Sequence, residues 1–191
     1  MQILEYAPTV EGLLILHDVE FDEHEESASQ AVISLGSNLG NSVEILRQAM
    51  VRLQQLSDAP LLKSSLWRTT PVNCPPGSRP FVNAVVSLLP HADETPETLH
   101  SNLQALEQEF GRKSKRILNE PRRLDLDLIA FGNETRNSPL LILPHPRAHQ
   151  RRFVLQPLSE FAPDMVLPGQ YMTVAELLGA LMSDEKMVRL D

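Results

Sequence analysis

The sequence predicts an α+β fold in which helices pack on an antiparallel sheet. Three features predict it. Apolar residues recur at helical spacing over 43–56 and again over 99–110. Runs with strand character flank both helical stretches. No repeat and no change of composition after residue 31 marks a second domain.

Ala31–Leu35 is an apolar run that ends in Gly-Ser-Asn-Leu-Gly, a strand followed by a turn. Asn41 or Ser42 can cap the next helix, whose core side carries Val43, Leu46, Ala49, Met50, Leu53 and Leu56. Leu61–Thr70 has the alternation of a second strand, with Leu62, Ser64 and Leu66 set against Lys63, Ser65 and Trp67. Four prolines and Gly77 make residues 71–80 a loop. Phe81–Leu89 reads as a third strand, with Val82, Ala84, Val86 and Leu88 on one face. Thr95-Pro96-Glu97 opens a second helix with proline in its first turn, lined by Leu99, Leu103, Leu106 and Phe110, and Gly111 stops it. A basic loop over 112–123 leads into a strand over Leu124–Phe131, ended by Gly132-Asn133. Leu140–Leu143 is a further short apolar run, and Arg151–Phe161 can form a helical turn. Thr173 caps a last helix with Val174, Leu177, Leu178 and Leu181 on one face. The core order is βαββαβ, that of a ferredoxin-like fold. Its helices are expected to cover one face of the sheet and to leave the other free to build a site with loops.

Charge divides the chain at residue 30. Residues 1–30 hold eight acids and no Lys or Arg, which accounts for the whole net charge of -8; the rest carries 17 acids and 17 bases. We therefore expect an acidic, partly ordered extension over 1–30 and a single working domain over 31–191. A neutral domain with local basic patches suits a small anionic ligand better than a nucleic-acid track. One cysteine, Cys74, allows no internal disulfide, and a reducing cytoplasm fits it. No run of about 18 apolar residues suggests a membrane span, and the first residues lack the basic start of a signal peptide.

The sharpest chemical signal is Arg122-Arg123-Leu124-Asp125-Leu126-Asp127-Leu128-Ile129. Side chains alternate along a strand, so Asp125 and Asp127 share one face and the leucines the other. The two carboxylates lie roughly 7 Å apart along the strand. Like charges at that spacing resist burial unless a cation joins them, and magnesium, with its oxygen ligands and taste for phosphates, suits them. An ordinary edge strand with solvated acids has the same pattern. The neighbours favour the metal. Arg112, Lys113, Lys115, Arg116, Arg122 and Arg123 precede the strand, opposed only by Glu120. Polyphosphate takes metal on some oxygens and cationic donors on others. A second cationic stretch runs from Pro144 through His145, Arg147 and His149 to Arg151 and Arg152. There is no zinc pattern, and no Gly-Lys-Ser/Thr follows the glycine-bearing turn as a Walker loop requires.

At this point the residues resemble a known family. Pro121-Arg122-Arg123-Leu124-Asp125-Leu126-Asp127-Leu128 is similar to the signature of the dihydropterin pyrophosphokinases of folate synthesis. The agreement runs in order through Ser34–Gly40, Thr69-Thr70-Pro71-Val72, Phe81-Val82-Asn83-Ala84, Glu107, Gly111-Arg112, Phe131-Gly132, Pro144-His145 and Arg151–Leu158. The resemblance implies a three-layer αβα form of the ferredoxin-like fold. It implies ATP as co-substrate, a dihydropterin alcohol as acceptor, and two magnesium ions on Asp125 and Asp127. It gives Arg112 and Arg122 to the phosphates and transition state. Lys115, His145 and Arg151 fall in the nucleotide site with Glu107. Asn83 would bond the pterin edge, Phe81 and Phe153 would sandwich its ring, and Thr69, Thr70 and Val72 would lend loop groups. The chain departs from the family pattern at Asn73, Ser114, Asn119 and Glu120, in the two loops that close over substrate. A monomer is expected, with no nucleic-acid or membrane partner.

Two other classes share such a fold. An RNA-reading module would show aromatics on the central strands and net positive charge, whereas this chain is 5% aromatic. A degenerate homologue would bind pterin or ATP without turnover.

Overall fold

The computed structural model describes residues 30–71, 77–112 and 121–191. The tail 1–29, most of the proline loop with Val72 and Asn73, and the loop segment 113–120 with Ser114, Lys115, Asn119 and Glu120 lie outside the described residues.

Strand β1, Ala31–Ser37, is buried along its whole length. It lies between two partners, β4 (Phe81–Leu88) and β5 (Asp125–Phe131), both antiparallel to it. A strand covered on both faces reads as an apolar run, which is why Ala31–Leu35 was conspicuous. The strand does not stop at Leu35 as expected. Gly36 and Ser37 continue the ladder opposite Asn83 and Val82, and Gly36 also lies opposite Asp125.

Helix α1, Ser42–Leu53, begins at Asn41, whose side chain accepts from Glu44 N–H. It buries Ile45, Leu46, Ala49 and Leu53 against the sheet, with Val43, Met50 and Leu56 at the edge of the same core. Helix α2, Pro96–Glu109, begins at a capping box between Thr95 and Thr98 and has Pro96 in its first turn. It buries Leu99, Leu103 and Leu106, and also Glu107. Facing these helices, Ile33 and Leu35 of β1, Ala84 and Val86 of β4, and Leu126 and Leu128 of β5 complete the first core. Leu124 is buried there too, one residue before β5 begins.

The expected second strand is two pieces, β2 (Leu62–Lys63) and β3 (Trp67–Thr69), both paired with β4. Ser64 causes the break. Its N–H donates to Val85 O at 3.0 Å, and its Oγ accepts from Val85 N–H at 2.9 Å. A side chain thus takes a place in the ladder, and the alternation fails. Leu62 is exposed, while Leu61 and Leu66 are buried. Counting β2 and β3 as one strand, the antiparallel order β5-β1-β4-β3 is that of the ferredoxin-like βαββαβ fold.

The second face of the sheet is not left free, which corrects the sequence expectation and agrees with the three-layer form. Helices α3 (Arg152–Leu158) and α4 (Val174–Ala180) cover one part of it. Val154, Leu155, Leu158 and Val174 pack there on Val32, Val85, Ile129 and Ala130. Ile129 and Ala130 are consecutive, yet both reach this core, because the β1–β5 register shifts beside Val32 and Ile33. Such a bulge re-aims side chains, and here its extra residue, Ile129, lies two residues beyond Asp127. Two further strands, β6 (Arg136–Asn137) and β7 (Ile142–Leu143), form a small hairpin, and Leu140 stands exposed in the turn between them. The last strand, β8 (Met187–Arg189), pairs with β3 and closes that edge of the sheet. Nothing in the sequence pattern announced it.

Candidate active site

The registers of β4, β1 and β5 place Asn83, Gly36 and Asp125 side by side across three strands. In the adjacent row on the same face, Asp127 lies opposite Ser34. Asp125 and Asp127 therefore stand on the second face, while Leu126 and Leu128 between them are buried in the first core.

Three arginines from three different segments converge on these carboxylates. Arg112 arrives from the end of α2. Gly111 takes the left-handed conformation, φ +89°, that the turn requires. Gly111 N–H donates to Gln108 O and Arg112 N–H to Glu107 O, the paired bonds of a Schellman helix end. The turn brings the Arg112 guanidinium onto Glu107 and within 3.0 Å of Asp125 Oδ1. Arg122 is held by Asn38 at the end of β1. Asn38 Oδ1 accepts from Arg122 N–H at 2.9 Å, and Asn38 N–H donates to Arg122 O at 3.1 Å. The Arg122 side chain lies 3.2 Å from Asp125 Oδ1 and over the Phe81 ring, 5.9 Å from its centre. Arg151, just before α3, lies 3.5 Å from Asp127 Oδ2 and over the Phe153 ring at 5.3 Å. A guanidinium over an aromatic face is attracted by it, so each candidate pterin-stacking ring lies against an arginine that is itself a candidate donor to phosphate.

Glu107 is the buried anchor of this cluster. Its carboxylate accepts from Leu126 N–H at 2.7 Å and pairs with Arg112. Burial pushes its pKa up to about 7, with Asp125 and Asp127 adding to the rise and the Leu126 N–H and Arg112 opposing it. His145 follows a cis Leu143–Pro144 peptide bond, and its N–H donates to Ile129 O. Its Nδ1 accepts from Arg147 N–H at 3.2 Å, which leaves Nε2–H as the ring's donor. Burial lowers the His145 pKa, with Arg151 and Arg147 helping and Asp127 opposing.

On the β4 side, Asn83 is buried and its Nδ2–H donates to Thr69 Oγ1 at 2.7 Å. This fixes the amide with its Oδ1 beside Gly36: a Cβ at Gly36 would stand 2.9 Å from Asn83 Oδ1. Thr70 is tied to the C-terminal segment, accepting at Oγ1 from Lys186 N–H and donating its own N–H to Lys186 O, both at 3.1 Å.

The structure thus gathers Arg112, Arg122, Arg151, Glu107, Asp125 and Asp127 into one network, with Phe81 and Phe153 each against an arginine. Thr69 and Asn83 are joined at the adjoining end of β4. Val72 and Lys115 lie outside the described residues. Sequence reading placed Gly36 and Asn38 in the Ser34–Gly40 stretch that resembles the family but gave neither a role. Gly36 had a signal, since glycine within a strand marks a close approach. The role of Asn38 had none, because its partner Arg122 is remote in sequence.

The pattern of the 7,8-dihydro-6-hydroxymethylpterin-pyrophosphokinase family matches residues 32–163. The chain belongs to this family. It is 38% identical over 162 residues to the 2-amino-4-hydroxy-6-hydroxymethyldihydropteridine pyrophosphokinase of Haemophilus influenzae, covering 84% of this chain and 98% of that one. It is 37% identical to the same-named protein of Pseudomonas aeruginosa, covering 78% and 89%. Among solved structures, an HPPK-DHPS in complex with substrates superposes with a TM-score of 0.62 at 12% identity, covering 80% of this chain and 43% of that one. The HPPK-DHPS of Plasmodium falciparum with pteroate gives 0.61 at 13% identity, covering 78% and 44%. This chain spans less than half of those longer chains, and the likeness is one of fold. Among the described residues, no helix is long and apolar enough to cross a membrane.

Proposed function

We propose that the chain transfers a diphosphate unit from ATP to the hydroxymethyl oxygen of 6-hydroxymethyl-7,8-dihydropterin, with AMP leaving. Its place in the pyrophosphokinase family supports the reaction. The observation that carries the site is the convergence of Arg112, Arg122 and Arg151 on Asp125 and Asp127, beside the buried Asn83.

Asp125 and Asp127 fit magnesium. Two carboxylates project from one strand face with part of their surface open, and magnesium takes one or two carboxylates with waters and phosphate oxygens completing its shell. They would hold two ions, and the metal would neutralise phosphate charge and lower the pKa of the attacking hydroxyl. The protein's own groups then have defined tasks. Arg112, Arg122 and Arg151, joined by Lys115, donate to the phosphate oxygens, and Arg122 and Arg112 meet the charge that develops at the β-phosphorus. His145 is neutral near pH 7, and its Nε2–H donates to the triphosphate. Glu107 holds Arg112 and the β5 backbone while lying under the nucleotide. Asn83 reads the pterin edge, held in place by Thr69, and Thr70 and Val72 shape that wall. Phe81 and Phe153 stack on the two faces of the ring, a flat surface that excludes water. Positioning and charge neutralisation supply the rate, and no side chain is required as a covalent partner.

AMP release measured with magnesium, ATP and the dihydropterin, against a control without pterin, tests this reading. Pterin-dependent AMP supports it. Binding of pterin and an ATP analogue without AMP indicates a degenerate catalyst, and no binding of either ends the assignment.

A further inference from the structure

Helix α3 carries Phe153 in its first turn and follows directly on Arg151, so its start sets two groups of the site. The first amides of a helix have no acceptor within it and need one from outside. The residue in the capping position is Arg151, whose side chain has donors only and makes no capping bond. Val154 and Leu155 N–H both reach Arg151 O, which leaves the Arg152 and Phe153 amides without a backbone acceptor among the described residues.

Glu185 comes to this place from the far end of the chain. It is 8% exposed, and its neighbours include the Phe153 backbone N–H and the side chains of Arg152 and Arg151. Among the described residues, Glu185 Oε1 and Arg152 Nε are both buried without a hydrogen-bond partner. Burying a carboxyl costs stability unless something nearby uses it. Its own segment is firmly placed: Glu185 N–H donates to Ser183 Oγ, Lys186 is bonded twice to Thr70, and Met187 pairs with Thr69. One stretch of chain therefore spans from the Thr69–Thr70 wall to the start of α3.

We infer that Glu185 is a positioning residue that supplies the missing acceptor at the start of α3, and so fixes Phe153 relative to the wall formed by Thr69 and Thr70. This rests on the pterin reading above for its functional consequence, though not for its structural one. The ring that stacks on the pterin is set from the C-terminal strand, and a residue outside the catalytic cluster tunes pterin affinity.

Three substitutions separate the acceptor from the space it fills. Glu185→Ala removes both, and Glu185→Leu keeps the bulk if the alanine chain does not fold. Glu185→Gln keeps an acceptor and loses the charge. Amide exchange at Phe153 should quicken about fivefold in Glu185→Ala, the scale of losing a helix cap. Glu185→Gln should restore protection. With active wild-type chain, the dihydropterin KM should rise by a similar factor in Glu185→Ala, with kcat within about twofold, since the loss is one of ground-state placement. Unchanged Phe153 exchange in the alanine or leucine chain overturns the inference whatever the activity. Unchanged pterin KM beside a wild-type rate overturns its functional half. A wild-type chain that makes no AMP defeats the pterin reading instead and leaves exchange to decide the role of Glu185.

Discussion

Asp125 and Asp127 differ in their surroundings although they share a strand face. Asp125 has 18% of its side chain exposed and meets Arg112 and Arg122, while Asp127 has 38% exposed and, among the described residues, pairs with Arg151. Either carboxylate changed to Ala should abolish AMP release while leaving circular dichroism intact; activity near wild type would remove both from metal binding. Arg122→Ala should lower kcat by about 3–4 kcal/mol, the scale of losing a donor to transition-state charge, with little change in pterin affinity. Gly36 acts by what it lacks. A methyl group there would meet Asn83 Oδ1 at 2.9 Å, and that amide is already held on its other side by Thr69. Gly36→Ala should raise the dihydropterin KM about tenfold, or about 1.4 kcal/mol, by displacing the reading amide. Isothermal titration with the pterin alone checks this without depending on turnover.

At the level of elements, helix ends do much of the positioning. The Schellman turn at Gly111 sets Arg112 against Glu107 and Asp125, and it depends on a positive φ that L-residues resist. Gly111→Ala should cost about 1–2 kcal/mol in urea denaturation from that conformation alone. It should lower kcat as well, because the strained turn moves the guanidinium. Both helices of the first layer were legible in the sequence: Leu46, Ala49 and Leu53, like Leu99, Leu103 and Leu106, bury one stripe each. The same holds for the Asp125–Asp127 face, where half-buried acids alternate with buried leucines, and for β4, whose Val82, Ala84, Val86 and Leu88 lie in the first core as read. It was not legible where a side chain replaces backbone in the ladder, as Ser64 does, since Leu62 then turns outward. Strand β8 has three residues and no buried position, so no apolar pattern could reveal it. Helix α3 begins where the helical turn was expected, at Arg151, although no side chain of its own segment caps it. Arg112, Arg122 and Arg151 were each legible as cations, but their meeting depends on Gly111, Asn38 and α3.

At the scale of the whole molecule, the tail and the buried acids raise different questions. Strand β1 begins at Ala31 and the family pattern at residue 32, both beyond residues 1–28. Removing them should leave kcat and both KM values within about twofold, a surface-scale effect; a larger loss would make the tail part of the working domain. The fold should also carry a distinctive pH dependence, because it buries two acids in separate places. Burial raises the pKa of Glu107, at the end of α2, and of Glu185, beside α3, to about 7 from 4.5. Between those values the folded chain binds protons that the unfolded chain has released. Stability from these groups is then fully present below pH 4.5 and is lost as pH rises through 7. Each contributes at most about 3 kcal/mol across that window, by the conversion of a pKa shift into free energy. His145 acts in the opposite direction. Its lowered pKa makes the folded chain bind fewer protons than the unfolded one just below pH 6.5, so its contribution grows as pH rises. Two acids should outweigh one imidazole. Urea denaturation in EDTA, which keeps magnesium off Asp125 and Asp127, should give lower stability at pH 8 than at pH 5.5. Glu185→Gln should flatten that slope by removing one of its two sources. A slope unchanged in Glu185→Gln would mean that Glu185 ionises in the folded chain as readily as in the unfolded one.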